Sequence, residues 1–63
     1  MALETKVREL RKQRSLSREA LAVRADISYA TVARIESGVW PSQRSIRQIA
    51  EALEVTVEEL LSA

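Results

Sequence analysis

Apolar residues recur along the chain at spacings of three or four positions, with charged residues between them, and this is the period of an α-helix. Hydroxyl residues at capping positions, the single glycine and the single proline divide this pattern into five segments. No stretch alternates with a period of two, so we expect no β-sheet. The pattern predicts an all-α fold of five helices.

The first three segments are bounded by serines and by the glycine. Helix one is predicted from Leu3 to about Arg14, and helix two from Arg18 to Arg24 or Ala25 after the cap Ser17. Helix three follows the cap Ser28 and stops at Gly38. The apolar positions predicted to be buried are Leu3, Val7 and Leu10 in helix one, Ala20, Leu21 and Ala25 in helix two, and Val32 and Ile35 in helix three.

The last two segments follow the proline. Pro41 prevents helix three from continuing, and Ser42 directly after it can cap helix four. Thr56 and Glu59 have the spacing of a capping box, which opens a short final helix. The apolar positions predicted to be buried are Ile46, Ile49, Ala50 and Leu53 in helix four, and Leu60 and Leu61 in helix five.

Length and composition limit the possible functions. At 63 residues the chain is short enough that folding buries only about 60% of its unfolded surface, which leaves little room for an enzyme cleft. Cysteine and histidine are both absent, so disulfides, the usual zinc sites, a thiol nucleophile and the common general base are excluded. We therefore expect no enzyme, no metal and no cofactor.

Hydropathy also argues against a membrane partner. No apolar run approaches the roughly 18 residues that span a bilayer, and the start MALETKVREL lacks the apolar core of a secretory signal. We expect a soluble, intracellular protein.

Charge is distributed unevenly although the net charge is only +1. Residues 1–34 hold eight Lys/Arg and four Asp/Glu, whereas residues 35–63 hold two Lys/Arg and five Asp/Glu. A basic half and an acidic half indicate that one face meets a polyanion, unless these charges are simply solvated helix faces.

Two short helices joined by a tight turn, residues 17–38, predict a helix-turn-helix unit. The stretch LSREALAVRADISYATVARIESGVWPS resembles the Cro and phage-repressor type of helix-turn-helix domain, the XRE family. The resemblance continues in order from VRELRKQRSLS to IAEALEVTVEELL. It implies a compact, five-helix, lambda-repressor-like DNA-binding domain that spans residues 1–63. It also implies a cytoplasmic, nucleoid-associated protein of bacterial or phage type.

Helix three is the expected reader of DNA bases. Its predicted outward face carries mostly short side chains, which suits an element that must lie in the major groove, about 12 Å wide. Arg34 is the leading candidate for a guanine contact because its planar fork matches two acceptors on that base. The alternatives are a solvated arginine at this position and, for Tyr29, simple helix packing. Carried over by position from the family, the base contacts fall on Ser28, Tyr29, Ala30, Thr31 and Arg34.

Phosphate contacts are expected at helix starts, where free backbone N–H groups and the positive dipole end favour anions. In the family, the starts of helices two and four hold the DNA backbone on either side of helix three. Ser17 and Ser42 are also ordinary helix caps. The phosphate contacts that the resemblance implies are Ser17, Arg18, Ser37, Ser42, Gln43 and Arg44.

Glu36 lies in the last turn of helix three, where the helix dipole disfavours an acid. In the family, an arginine late in helix one pairs with a glutamate at this place, and Arg11 matches that arginine. The resemblance therefore implies an Arg11–Glu36 salt bridge that orients helix three. The alternative is an ordinary surface glutamate.

Three positions at helix starts and turns depart from the family pattern. Asp26 and Glu54 replace glycines that the family uses in left-handed turns. Arg18 replaces the usual glutamine at the start of helix two, so the side-chain bridge between the two helix starts becomes a charge contact.

Val39 and Trp40 stand where many relatives carry lysine or arginine. The indole of Trp40 could donate to a phosphate, form a dimer or partner surface, or cover the core. Repressor domains of this type pair as two-fold dimers on inverted repeats, with half-sites about 34 Å apart. The implied dimer or partner surface comprises Trp40, Val57 and Glu58.

Two functions remain after these steps. The first is a sequence-specific, double-stranded-DNA-binding transcription regulator of the repressor type, acting as a homodimer. The chain ends at Ala63 with no room for a separate oligomerisation domain, so we expect a lone monomer to bind weakly and with strong salt dependence. The second is a protein-interaction or antitoxin-type module that uses the same fold to hold a protein partner.

Overall fold

The computed structural model describes residues 2–62, which form five α-helices. Their bounds are α1 (Leu3–Gln13), α2 (Arg18–Ala25), α3 (Tyr29–Glu36), α4 (Gln43–Leu53) and α5 (Val57–Leu61). No strand occurs within this range. The prediction of an all-α fold with five helices is confirmed, and the helix-turn-helix unit corresponds to α2 and α3.

Hydroxyl caps begin four of the helices. In each, the side-chain oxygen accepts a hydrogen bond from the backbone N–H three residues later, at 3.0 to 3.1 Å. At α5 the Glu59 carboxylate accepts in return from the Thr56 N–H at 2.9 Å, which completes the predicted capping box. Each cap contributes about 1 kcal/mol of helix stability. The four caps are Ser17, Ser28, Ser42 and Thr56.

All five helices contribute to one hydrophobic core. Helix α1 packs on α3 and α5, α2 packs on α3 and α4, and α4 packs on α5. The buried apolar side chains are Leu3, Val7, Leu21, Ala22, Ala25, Val32, Ile35, Ile46, Ile49, Ala50, Ala52, Leu53 and Leu60. This arrangement holds α3 on one side and leaves its opposite face free.

Three predicted core positions are not fully buried: Leu10 is half-buried and packs against the core, whereas the predictions for Ala20 and Leu61 were wrong. Ala20 is only half-buried, because the buried stripe of α2 runs through Leu21, Ala22 and Ala25, at the three- and four-residue steps of a helix. Leu61 remains 43% exposed, because α5 turns Leu60 into the core and Leu61 therefore faces about 100° away.

Helices α1 to α4 end in the same way. A residue with positive φ follows each of these helices. The backbone N–H of the next residue donates to the carbonyl five residues earlier in the chain, at 3.0 Å. This is the Schellman geometry, which satisfies carbonyls that the helix leaves free. The positive-φ residues are Ser15 (φ 55°), Asp26 (φ 58°), Gly38 (φ 106°) and Glu54 (φ 61°).

The apolar residue that follows each turn differs in burial. Leu16, Ile27 and Val55 pack against the core, as is common in this motif. Val39, the corresponding residue after α3, is 52% exposed. The end of α3 therefore leaves apolar surface uncovered.

Replacing Glu54 with glycine should raise stability, because glycine adopts the left-handed conformation at φ 61°, ψ 40° without strain from a Cβ. We expect Glu54→Gly to increase the free energy of unfolding by about 1 kcal/mol, measured by urea denaturation. The matched control Glu51→Gly changes an exposed residue inside α4 and should lower it by a similar amount. A loss of stability in both variants would contradict this account of the turn.

Candidate nucleic-acid interface

The outward face of α3 is exposed and carries few long side chains. Tyr29, Ala30 and Arg34 are exposed, with Tyr29 at 45%, whereas Val32 and Ile35 are buried on the opposite side. Arg34 contributes the only cation of this helix. A flat helix face of this kind can enter a groove without side chains that hold it away.

Ser28 and Thr31 form a local pair at the start of α3. Their hydroxyl oxygens lie 2.8 Å apart, and Ser28 Oγ also accepts from the Thr31 N–H at 3.1 Å. Thr31 is half-buried. The Ser28 hydroxyl thus serves the cap, and whichever hydroxyl donates in this pair, the other hydroxyl proton and an acceptor position on Thr31 remain for a further partner.

The starts of α2 and α4 both lie against α3. A cleft of about 200 Å³ joins α3 to the start of α4, and its lining includes Thr31, Arg34, Trp40 and Ser42. Gln43 and Arg44 are exposed in the first turn of α4. The predicted phosphate-binding helix start is therefore next to the outward face of α3.

The remaining predicted phosphate contacts are placed differently. Ser17 is exposed at the start of α2. Ser37 donates its hydroxyl proton to the Arg34 carbonyl at 2.9 Å, within its own helix end. Arg18 reaches α3, where its Nε donates to Glu36 Oε1 at 3.2 Å.

Glu36 is the buried charged residue of this region, with a side chain that is 0% exposed. Arg11 binds it in a bidentate manner: Nε donates to Oε2 at 2.7 Å, and Nη2 donates to Oε1 at 3.1 Å. Arg11 Nη1 also donates to the Leu16 carbonyl at 3.0 Å. Arg11 thus ties α3 to α1 and to the turn before α2, so Glu36 is not a surface glutamate.

Arg8 is a third arginine at this carboxylate, and the sequence reasoning missed it. Its Nη2 donates to the Glu36 backbone carbonyl at 2.8 Å, and its Nε lies 4.0 Å from Oε1. Arg8 precedes Arg11 by three residues, so the two lie on the same face of α1. This spacing was the signal that could have identified it.

Opposing effects set the pKa of Glu36. Burial alone raises the pKa, because it disfavours the ionised carboxylate. The hydrogen bonds and charges of Arg11, followed by those of Arg18, outweigh this effect and lower the pKa below its usual value. The carboxylate is therefore ionised in the folded protein at neutral pH.

The uneven charge along the sequence has a partly internal origin. Arg8, Arg11 and Arg18 are three of the eight cations in residues 1–34, and all three contact Glu36 of the acidic half. The interpretation of the two halves as separate faces is corrected to this extent: part of the basic charge neutralises a buried acid.

Trp40 is 65% exposed, so it does not cover the core. It lies at one side of a shallow groove of about 360 Å³ between α4 and α5, which also includes Val57 and Leu61. We call this the Trp40 groove, and its complete lining is Trp40, Gln43, Ile46, Arg47, Val57 and Leu61. Glu58 is exposed directly after Val57. Two of the three residues predicted for a dimer or partner surface therefore share one groove.

Residues 2–62 were compared with the requirements of a membrane-spanning helix and of a metal site. None of the helices there has the length and apolar character of a membrane crossing. In the same range, no three acidic, histidine or cysteine side chains are grouped to bind a metal ion.

Removing the Glu36 carboxylate should strongly destabilise the fold, because it leaves Arg11, which is 12% exposed, without its counter-charge. For Glu36→Ala we expect a loss of about 3 to 5 kcal/mol in the free energy of unfolding, measured by urea denaturation. The exposed control Glu51→Ala should stay within about 0.5 kcal/mol of the parent. An unchanged free energy of unfolding for Glu36→Ala would show that the cluster does not hold the fold together.

Lowering the pH should gradually remove the stability that the ionised Glu36 carboxylate contributes. Because the folded-state pKa of Glu36 is lowered from 4.5, the carboxylate stabilises the fold fully above that value, and the effect is lost as pH falls through the lower folded-state pKa. The stability difference between the parent and Glu36→Gln should be constant from about pH 6 to 7 and should narrow below about pH 4. Urea denaturation at each pH measures it, and a difference that is constant down to about pH 2.5 would contradict the lowered pKa.

The sequence was compared with those of known proteins. The model of a helix-turn-helix family matches residues 7–60. The chain is also 41% identical over 59 residues to RghRB of Bacillus subtilis (strain 168), described as an uncharacterized HTH-type transcriptional regulator. The match covers 90% of this chain and 42% of that protein. Residues 7–60 contain the capped α2–α3 unit and both members of the Arg11–Glu36 pair, and the chain belongs to the XRE-type helix-turn-helix family of DNA-binding transcription regulators.

Proposed function

We propose that this chain is a sequence-specific, double-stranded-DNA-binding domain of a transcriptional repressor and that it reads the major groove with α3. The observation that carries the proposal is the bare outward face of α3, with Tyr29, Ala30 and Arg34 exposed. The starts of α2 and α4 lie against the same helix, so base-reading and backbone-binding groups are adjacent. These features favour a nucleic acid duplex over a small-molecule substrate.

Base reading would depend on the first two turns of α3. Arg34 is exposed, and its guanidinium fork can donate to guanine O6 and N7 together. Ala30 and the Thr31 methyl can pack on a thymine methyl. Ser28 and Tyr29 complete the set at the N-terminal end of the helix, where side chains in this motif reach base edges.

Backbone binding would come from the two helix starts. Exposed N–H groups and hydroxyls there bind phosphate oxygens and fix the register of α3 without reading sequence. Arg44 adds a point of positive charge at the start of α4. The proposed phosphate contacts are Ser17, Arg18, Ser37, Ser42, Gln43 and Arg44.

Two copies would bind one operator as a two-fold dimer on an inverted repeat, with half-sites about 34 Å apart. The Trp40 groove supports this pairing, because an isologous interface needs one exposed apolar patch that meets itself. Arg47 in the groove and Glu58 at its edge provide opposite charges for such a contact. Binding to two linked half-sites also raises the affinity for DNA, which a net charge of only +1 would otherwise keep low.

A second function, an antitoxin-type module that holds a protein partner, is favoured by the same groove. Trp40 and Leu61 expose 65% and 43% of their surface, and exposed aromatic and aliphatic side chains of this kind are typical anchors of protein interfaces. This function can coexist with DNA binding, since α3 is not part of the groove.

Titration of a randomised duplex pool at two salt concentrations tests the proposal. We expect binding that weakens steeply with salt, and a selected sequence with inverted-repeat symmetry. Selection of single half-sites would argue against the dimer alone. Failure to bind any duplex at low salt would refute DNA binding and leave the protein-partner function.

Two arginine variants separate base reading from backbone binding. On the selected sequence, Arg34→Ala should cost about 1 to 3 kcal/mol and should relax preference at one base pair. Arg44→Ala should weaken all sequences alike and should reduce the slope of log affinity against log salt by about 1. Fluorescence anisotropy with single-base variants of the site measures both effects. Equal behaviour of the two variants would contradict the assigned roles.

A further inference from the structure

Val39 is an exposed apolar residue that the Trp40 groove leaves unexplained. It is 52% exposed, whereas the corresponding residues after the other helices pack against the core. The lining of the groove does not include it. Val39 instead lines the cleft of about 200 Å³ between α3 and the start of α4, which shares Trp40 with the groove. Its exposed surface therefore belongs to the cleft.

The cleft has an apolar part and a polar part. The loop between α3 and α4 supplies most of the apolar part through Val39, Trp40 and Pro41. The polar residues come from the two helices that the loop joins, so the apolar surface lies between two sets of polar groups. Those polar residues are Thr31 and Arg34 on α3, and Ser42 and Ser45 at the start of α4.

The polar part of the cleft suits an anion. Among the residues that the structure describes, no acidic side chain lines the cleft, and Arg34 contributes a positive charge. Ser42 Oγ donates to Ser45 Oγ at 3.2 Å, which leaves the Ser45 hydroxyl proton for another acceptor. The cleft thus offers a cation and a hydroxyl donor beside an apolar surface.

One nucleotide of a DNA strand has the matching combination of groups. Its phosphate is an anion, and its deoxyribose presents mainly C–H surface. A strand whose bases meet α3 and whose phosphate meets the start of α4 brings a sugar past the loop between them. Proteins that bind DNA contact its sugars as well as its phosphates, and such contacts fix register without reading sequence.

We propose that Val39 and the cleft side of Trp40 pack on a deoxyribose of the DNA strand whose phosphate binds at the start of α4. This inference rests on the proposed DNA-binding function, to which it adds an apolar contact with the DNA backbone. The contact buries C–H surface and neutralises no phosphate, so its contribution to affinity depends little on salt. It gives a chain of net charge +1 a source of affinity other than charge.

The test measures affinity by fluorescence anisotropy on a duplex with one half-site, too short for two copies. Val39→Ala should lower the affinity about 3- to 10-fold, equally at two salt concentrations, because it removes apolar surface without changing charge. Val39→Thr has nearly the same shape and should also lower the affinity, since its hydroxyl loses water against C–H surface. Val23→Ala is the matched control. This valine is 82% exposed on α2, outside the cleft, and its loss should leave the affinity unchanged.

Other partners of Val39 predict different results. If the side chain lies beside a phosphate, Val39→Thr should bind more tightly, because the new hydroxyl donates to it. If it contacts a second copy, both variants should bind the half-site normally and only the complete inverted repeat more weakly. If it contacts another protein, both DNA affinities should stay unchanged. Each of these outcomes would overturn the inference and leave the proposed function intact.

Trp40 allows a direct measurement because it is the only tryptophan. The indole is 65% exposed in the free protein, so saturation with the half-site duplex should protect its fluorescence from quenching by acrylamide. Binding of the duplex without protection of Trp40 would refute the sugar contact alone. Failure of the duplex to bind at low salt would refute the proposed DNA-binding function and the sugar contact together, so the two failures are distinguishable.

Discussion

The burial of one carboxylate constrains the arrangement of the first three helices. Glu36 lies at the end of α3 where the helix dipole disfavours an acid, and its side chain has no exposure to water. Such a group persists only if neighbouring cations and hydrogen bonds compensate it. Arg8 and Arg11 from α1 and Arg18 from α2 provide both, so α3 cannot rotate or slide without breaking several charged contacts. A buried ion pair is a poor source of net stability compared with apolar packing, and orientation of α3 is the better reason for its presence.

The same cluster determines where positive charge remains for a partner. Three of the ten Lys/Arg contact Glu36, and of the other seven, Arg34 lies on the outward face of α3 and Arg44 at the nearby start of α4. Backbone N–H groups at helix starts add binding capacity for anions without adding formal charge. An almost neutral chain can therefore present a surface suited to DNA, and net charge is a poor guide to it.

The features that could be predicted from the sequence are those that depend on residues close together along the chain. Caps such as Ser17 and Thr56 act on residues three positions away, so helix bounds followed from the local pattern. The Arg11–Glu36 pair spans 25 residues and was expected only through family resemblance. The roles of Arg8 and Arg18 depend on how α1 and α2 pack on α3, which no local pattern specifies. Leu61 was misplaced because α5 has five residues, too few for a helical period to define a face.

In the loop after α3, the fold constrains the backbone at Gly38 but not the side chains of Val39 and Trp40. Gly38 adopts a positive φ that favours glycine, and the Val39 N–H bonds to the Arg34 carbonyl at 3.0 Å, a backbone contact that other residues could make equally well. The Val39 side chain, 52% exposed, contributes little to the core, unlike Leu16, Ile27 and Val55 after the other helices. Core packing therefore does not demand apolar residues at 39 and 40. Because exposed apolar side chains side by side are unfavourable in water, their presence supports contact surfaces on both sides of Trp40, in the cleft and in the groove.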